Sequence, residues 1–264
     1  MLNIVFERYD IFLFIYIRML GFIVFNPVFG RRNIPPTVRG AIALVLAVFA
    51  LLAIMSDPEV DAMQDVGMNS MLMFGVLIVK EFIFGYLIGL VVNLFFSVIT
   101  IGGEIMDSQM GLGMSKMYDP ASNIQMPLSG NFFNIALMVL FFMTNSHITL
   151  VRLLIVSFQL SPVGILFFNP DIGIYLMRMF GEVFILSMKL ALPVIAAELI
   201  SEAGIGILMR AVPQINIFVV GLQLKIIAGV GIMLISAPIA VWFFDGMLTQ
   251  MNDSIFEALK VLTQ

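Results

Sequence analysis

The sequence predicts an all-α membrane protein, and two observations predict it: the composition and the length of the apolar segments. Hydrophobic residues make up 61% of the 264 residues and charged residues only 11%, whereas a soluble domain carries about 25% charged residues. The chain therefore lacks the polar groups needed to cover a water-facing surface. Six segments are apolar and long enough for helical spans of about 20 residues. These features predict membrane-associated helical hairpins with about six long apolar helices, some of them kinked or broken.

The apolar segments are separated by short stretches rich in proline, glycine and polar residues, which are typical of turns. Pro35 and Pro36 follow the first segment, and Pro170 separates the fourth from the fifth. The last residues, Gly246 to Gln264, have apolar side chains at helical spacing and predict a short amphipathic helix. The six segments run approximately from Ile11 to Phe29, Val38 to Met55, Met71 to Ile101, Phe132 to Val156, Ile172 to Ile200 and Ile215 to Phe244.

The charge balance and the residue inventory exclude several classes of function. The net charge is −4 and no basic run is longer than the pair Arg31 and Arg32, so nucleic acid is not expected as a partner. The chain has no cysteine and one histidine, His147, which excludes disulfides, thiolate catalysis and cysteine zinc sites. No nucleophile with a base and no phosphate-binding loop is recognisable. We therefore predict a non-enzymatic protein without a cofactor or a metal site.

Nine charged residues lie inside or at the ends of the apolar segments, where contact with lipid is costly. Two hypotheses account for them. Either the charges lie at helix ends and pair within the chain, or these helices contact other subunits instead of lipid. The nine residues are Arg18, Arg39, Lys80, Glu81, Arg152, Arg178, Glu182, Lys189 and Lys225.

The spacing of these charges predicts specific pairs. Arg178 and Glu182 are four residues apart on one helix face, so a pair within the helix is expected. The acids Glu198 and Glu202 have the same spacing and repel each other unless a cation is near, for which Arg210 is the candidate.

Two adjacent charges predict a contact between helices. Lys80 and Glu81 point about 100° apart around a helix, so at least one needs a partner on another helix or subunit. Gly85 and Gly89 follow on the same segment at a small-xxx-small spacing. That spacing allows close approach of a second helix.

The longest interruption between apolar segments runs from Gly102 to Gly130. A loop of this length tends to be functional or disordered, and its apolar content argues against disorder. Four of its methionines lie on one face if the stretch is helical. Because Met repacks readily against changing surfaces, this stripe either seals a passage or forms a Met-rich core contact. The four residues are Met106, Met110, Met114 and Met117.

Several stretches of the chain form a recognisable set. They are Gly103-Glu104, QMGLG at Gln109 to Gly113, YDPAS at Tyr118 to Ser122, Asn145-Ser146-His147, SFQLSP at Ser157 to Pro162, and RAVPQINIF at Arg210 to Phe218 continuing to Gly221 and Lys225. In these stretches the sequence resembles the FliR family of flagellar type III export-gate proteins, and order, spacing and length fit over essentially the whole chain. Asp107 and Ser108 are polar where the resemblance predicts mostly apolar residues, and the stretch from Glu198 to Gly206 is more acidic than the family pattern.

The resemblance implies a single FliR-like domain over residues 1–264 that forms part of a helical multi-subunit export gate. About residues 1–160, with a plug loop at 102–130, would be similar in fold to FliP, and about residues 170–264 to FliQ. The implied partners are FliP-like and FliQ-like subunits, an FlhB-like subunit, membrane lipid, and unfolded exported proteins in transit. The implied location is the bacterial inner membrane, within the flagellar basal body.

The resemblance implies that the loop plugs the pore, and the expected plug comprises Met106, Gln109, Met110, Gly111, Leu112, Gly113, Met114, Met117, Asp119 and Pro120. A second set is expected to support subunit assembly: its charged members come from the charge pattern described above, and its stretch from Arg210 to Lys225 comes from the resemblance. These residues are Lys80, Glu81, Arg178, Glu182, Glu198, Glu202, Arg210, Pro213, Gln214, Asn216 and Lys225. Two alternatives stay open: an injectisome export-gate subunit of the same fold, and a self-sufficient multi-span solute transporter or channel.

Overall fold

The structure, a computed structural model, describes residues 9–31, 34–56, 71–112, 127–163, 169–212 and 217–263. Every regular element in these ranges is an α-helix, which confirms the predicted fold class. The helices are α1 (Tyr9–Phe25), α2 (Pro36–Met55), α3 (Met71–Gln109), α4 (Leu128–Met143), α5 (Ser146–Leu160), α6 (Ile172–Ala211) and α7 (Ile217–Thr263).

Fewer helices have the length of a membrane span than the six apolar segments suggested. Among the described residues, α2, α3, α6 and α7 are long and apolar enough to cross a membrane. The pair α4 and α5 forms a fifth candidate if this bent pair is counted as one span. α1 is apolar but shorter, because the helix ends at Phe25 and a turn follows.

The predicted fourth segment, Phe132 to Val156, is broken in the middle. Asn145 has a left-handed backbone conformation with φ of 57°, which Asn adopts more readily than most residues with a side chain. α4 therefore ends at Met143, and α5 starts at Ser146 with its axis turned by 66°.

Three helices are longer than their apolar segments. α3 continues past Ile101 to Gln109, so the first part of the predicted loop at 102–130 is helical. The predicted tail helix from Gly246 is the last part of α7 and not a separate element. With 39, 40 and 47 residues, α3, α6 and α7 are about 58, 60 and 70 Å long. Because the hydrocarbon core of a bilayer is about 30 Å thick, parts of each helix lie outside it.

The chain forms two compact units, each assembled from segments that are distant in sequence. Unit 1 comprises Met1–Leu94, Asn145–Met179 and Thr249–Gln264, and unit 2 comprises Phe95–Thr144 and Phe180–Leu248. The long helices α3, α6 and α7 contribute to both units. The division into a FliP-like and a FliQ-like part near residues 160–170 stays a prediction from the resemblance.

In unit 1, α1 and α3 cross at glycines that leave no room for a side chain. A Cβ atom on Gly85 would collide with the carbonyl group of Arg18, and one on Gly21 with the carbonyl group of Phe82. A Cβ atom on Gly89 would lie 2.7 Å from a backbone oxygen of α1. The close helix approach predicted from Gly85 and Gly89 is therefore confirmed.

Arg18 of α1 is fully buried in unit 1 and joins α1 to two other helical regions. Its Nε donates a hydrogen bond of 2.6 Å to Glu81 Oε2 of α3. Its Nη1 donates to the carbonyl oxygen and the hydroxyl oxygen of Ser157 at 3.0 and 3.1 Å, and its Nη2 donates to the carbonyl oxygen of Ser161 at 2.9 Å. The guanidinium also lies over the Phe158 ring, 4.1 Å from its centroid. Hydrogen bonds and ring contact together compensate the burial of this charge.

Lys80 and Glu81 find their partners inside unit 1. Lys80 Nζ lies 3.2 Å from Glu81 Oε1 and donates a hydrogen bond of 3.4 Å to the carbonyl oxygen of Pro162. The two residues are 6% and 0% exposed. The Glu81 carboxylate lies between the two cations Arg18 and Lys80, so both Lys80 and Glu81 have an oppositely charged partner within unit 1.

Replacing Arg18 by leucine tests this network. We expect Arg18→Leu to lower the free energy of unfolding by about 3–5 kcal/mol, because it leaves Glu81 Oε2 and the buried acceptor oxygens of Ser157 and Ser161 without their donor. Thermal unfolding in detergent, followed by circular dichroism, measures the change. Arg152→Leu is the matched control, since Arg152 is an exposed arginine in α5, and its loss should change stability by less than about 0.5 kcal/mol. Similar losses in both variants would contradict the special role of Arg18.

Candidate functional site

The candidate site in unit 2 is formed by the two helix ends that flank the predicted plug. We call it the loop base and define it as Met106 to Leu112 at the end of α3 together with Leu128 to Gly130 at the start of α4. It contains half of the predicted plug residues, namely Met106, Gln109, Met110, Gly111 and Leu112. The other half, Gly113, Met114, Met117, Asp119 and Pro120, lies outside the described residues.

The carboxylate of Asp107 holds the two ends of the loop base together. Asp107 Oδ2 accepts a hydrogen bond of 2.6 Å from the Leu128 amide. Its Oδ1 accepts one of 3.1 Å from the Ser129 amide and one of 2.5 Å from the Ser129 hydroxyl group. The first amides of a helix have no partner within the helix, and the N-cap residue of α4, Pro127, provides no side-chain hydrogen bond. Asp107 therefore caps α4 from the end of α3. Its negative charge also interacts favourably with the dipole of α4 at the N-terminus of that helix.

Gly111 ends α3 in a defined geometry. Its φ is +78°, in the left-handed region that favours glycine. The Leu112 amide donates to the Asp107 carbonyl oxygen at 2.9 Å, and the Gly111 amide donates to the Ser108 carbonyl oxygen at 3.2 Å. These two bonds form a Schellman motif, which satisfies carbonyl groups at the helix end. The chain thus leaves α3 in a fixed direction.

Glycines also bring the neighbouring helices of unit 2 close to the end of α3. A Cβ atom on Gly103 would collide with the backbone of Gly130, so α3 and α4 are in backbone contact at this point. A Cβ atom on Gly102 would lie 3.1 Å from the Ser187 carbonyl oxygen of α6. Gly102 and Gly103 were predicted to start a loop. They lie instead where α3 is in close contact with α6 and α4.

The described half of the methionine stripe is packed in the core. Met106 is 1% exposed and Met110 is 0% exposed. The side chain of Met110 lies against Gly229 of α7, where a Cβ atom would collide with its Cγ and Sδ atoms. Of the two hypotheses for the stripe, a core contact holds for Met106 and Met110, and the sealing hypothesis stays a prediction for Met114 and Met117, which lie outside the described residues.

An acidic pair with one lysine lies next to Met110. Glu198 is fully buried, its Oε1 would lie 2.8 Å from a Cβ atom on Gly229, and neither of its carboxylate oxygens accepts a hydrogen bond from the described residues. Glu202, one turn further along α6, forms an ion pair with Lys225 of α7. This pair is partly exposed, with 49% of the Glu202 side chain and 23% of the Lys225 side chain accessible.

The cation of the acidic pair differs from the one the sequence predicted. Arg210 was the candidate because it is near in sequence, but Lys225 pairs with Glu202 instead. α6 and α7 run side by side, so Lys225 lies opposite Glu202, whereas Arg210 is two turns further along α6 and is exposed.

The remaining predicted assembly residues are distributed over both units. Arg178 is exposed and Glu182 is half-buried on α6, with the boundary between the units falling between them. Pro213, Gln214 and Asn216 lie outside the described residues. In the part of the chain that the structure describes, no three His, Asp or Glu side chains are grouped so that they could hold a metal ion.

Two important residues were not predicted as functional from the sequence. Asp107 is polar where the resemblance predicts an apolar residue, and this departure is the signal that its carboxylate needs polar partners. Arg18 was counted among charges in apolar segments, and its position inside an otherwise apolar helix was the signal that it needs partners.

Comparison with known proteins places the whole arrangement in a family. Residues 10–251 match the family described as bacterial export proteins, family 1. The chain is 31% identical to flagellar biosynthetic protein FliR of Bacillus subtilis over 228 residues, which is 85% of each chain. It is 32% identical to FliR of Aquifex aeolicus over 227 residues, 85% of this chain and 84% of that one.

A protein named for the translocation of Yop proteins is also similar. The Yop proteins translocation protein T of Yersinia pestis is 27% identical over 215 residues, which is 79% of this chain and 78% of that protein. The family match and the FliR relatives each cover most of the chain, and the helices are those of a membrane protein. The chain therefore belongs to the bacterial export proteins, family 1, as a member of the FliR family.

Proposed function

We propose that this chain is a non-enzymatic core subunit of the flagellar type III protein export gate, and that its segment from Met106 to Pro120 plugs the secretion pore, with Met106 to Met110 packed as the base and the part from Gly111 onwards closing the pore. In this proposal it completes a ring with FliP-like and FliQ-like subunits, is contacted by an FlhB-like subunit, and passes unfolded proteins. Its place is the bacterial inner membrane, within the flagellar basal body. The observation that carries the proposal is the loop base, in which one carboxylate fixes both ends of the predicted plug.

A plug that opens and closes repeatedly needs fixed ends. If both ends moved independently, the segment would have many conformations to lose on each closure, at about 1–2 kcal/mol per residue. Asp107 ties α4 to the end of α3, and Gly111 sets the direction in which the segment leaves. These contacts support a segment that returns to the same position after each displacement.

The composition of the segment supports a deformable seal. Gly111 and Gly113 lack side chains, and Met114 and Met117 have flexible, polarizable ones that repack around changing surfaces. A passing polypeptide presents a different side chain at each step, so a seal of this kind suits it better than a rigid one. The proposed mechanism is passive, and other components supply the energy.

The flagellar system is the preferred setting. The two FliR proteins compared above are similar to this chain over 85% of its length, and the translocation protein T over 79%. An injectisome gate subunit of the same fold is the alternative. Restoration of motility in a cell that lacks its own FliR favours the flagellar assignment.

Removing the plug tests the central claim. We expect deletion of Gly111 to Met117 to raise the ion conductance of membranes that contain the assembled gate, because the segment no longer closes the pore. Ion leakage in cells that express all gate subunits measures this. Replacing the same seven residues by glycine and serine keeps the length and is the matched control for connectivity, and it should leak as well. A conductance equal to the wild type in the deletion variant would remove the plug proposal.

Loosening one end of the segment should give a weaker form of the same effect. We expect Asp107→Ala to raise conductance less than the deletion does, and to destabilise the chain by about 1–2 kcal/mol through loss of a helix cap. Leakage and thermal unfolding are measured on the same variant. Ser108→Ala is the control, since Ser108 is exposed on the same turn. Wild-type leakage from Asp107→Ala, with the gate assembled, would show that the anchor does not matter for closure.

A charge exchange tests whether the Glu202–Lys225 pair supports assembly. We expect Lys225→Glu to reduce the yield of complex that co-purifies with FliP-like and FliQ-like subunits, because three carboxylates then meet without a cation. The double variant Glu202→Lys with Lys225→Glu should recover most of the yield. If the double variant assembles no better than the single one, Lys225 contacts a group on another subunit and the internal pair is not what assembly needs.

A further inference from the structure

We propose that unit 2 binds an anionic phospholipid in a groove between α4, α6 and α7, with the lipid phosphate on Lys189. The groove has a volume of about 340 Å³ and is open to the surface. Its walls are apolar and are formed by Phe133, Leu190, Pro193, Ile239, Ala240 and Phe243.

Lys189 is the only charged residue that lines this groove. Its side chain is exposed, and its ammonium group makes no ion pair or hydrogen bond with the described residues. The other polar residue of the groove, Ser236, donates its hydroxyl group to the Met233 carbonyl oxygen at 3.1 Å. A single cation at the edge of an apolar groove, without an acid beside it, fits a ligand with one anionic head and an apolar tail.

The position of the single tryptophan places this groove at a membrane surface. Trp242 is 79% exposed and directly precedes Phe243, which lines the groove with Lys189. Tryptophan is enriched where the hydrocarbon of a bilayer meets the headgroups, and lysine side chains reach towards the same layer. Both residues therefore mark one level along the helices as the headgroup layer.

The groove lies between α6 and α7, with Lys189 to Pro193 on one wall and Ser236 to Phe243 on the other. In this proposal part of an acyl chain lies along the apolar walls, and the phosphate lies at Lys189.

Lipid retention by the purified full-length chain tests the proposal. The chain is reconstituted in phosphatidylcholine discs that contain a minor share of phosphatidylglycerol, and the retained lipid is identified by native mass spectrometry after gentle release. We expect the wild type to retain phosphatidylglycerol in preference to phosphatidylcholine. Lys189→Gln should reduce this retention about five-fold, as expected for the loss of one lysine at an anionic surface, and Lys189→Arg should keep it.

Two further variants separate the headgroup from the groove. Ala240→Leu fills the groove without changing its charge and should also reduce retention, with circular dichroism confirming that the helices are intact. Arg178→Gln removes an exposed cation of α6 outside the groove and should retain lipid as the wild type does.

Three outcomes would overturn the proposal. The first is equal retention of phosphatidylglycerol by the wild type, Lys189→Gln and Ala240→Leu. The second is full displacement of the lipid by inorganic phosphate, which would reduce the site to an anion contact at Lys189. The third is a cross-link from position 189 to another subunit in the assembled gate together with no lipid retained, which would assign the groove to a protein partner.

Discussion

The guanidinium group of Arg18 has no contact with solvent, and the packing of unit 1 is arranged around the acceptors it needs. Those acceptors are separated from Arg18 by 63 residues at Glu81, 139 at Ser157 and 143 at Ser161, so α1, α3 and the end of α5 must meet in one register. Gly85 permits this register, because a side chain there would collide with the Arg18 backbone. A slip by one residue would turn the guanidinium towards apolar side chains, where an unpaired charge is strongly destabilising. The charge therefore specifies the arrangement of the helices, whereas apolar contacts alone would tolerate several.

The same physical reasoning applies to unit 2, with a carboxylate in place of the guanidinium group. Asp107 is 2% exposed and accepts three hydrogen bonds from the start of α4. Since α4 begins after Pro127, which contributes no side-chain cap, its first amides would otherwise be unsatisfied in an apolar environment. One carboxylate thus both starts a helix and determines where the chain returns after residues 113–126. These hydrogen bonds explain why Asp107 is polar at a position where the resemblance predicts an apolar residue.

The fold class, the helix order and the close approach at Gly85 and Gly89 could be predicted from the sequence, because hydrophobicity and small-residue spacing are local signals. The partners of charged residues could not, since sequence distance is a poor guide once helices run side by side. Glu202 pairs with Lys225, 23 residues away, and not with Arg210, eight residues away. Helix ends were also misjudged: glycine is a weak helix former, yet α3 runs through Gly102 because close contact with a neighbouring helix outweighs that intrinsic preference.

The burial of Met106 and Met110 limits where the proposed plug can move. Displacing either side chain would open the core of unit 2, at about 2–5 kcal/mol for each large apolar group removed from its contacts. The Schellman motif at Gly111 ends the helix directly after Met110, so unwinding α3 would also break its closing hydrogen bonds. Movement of the helix before Gly111 is therefore costly, and the methionines on the two sides of this glycine differ in the proposal: Met106 and Met110 hold the base, and the sealing role is proposed for Met114 and Met117.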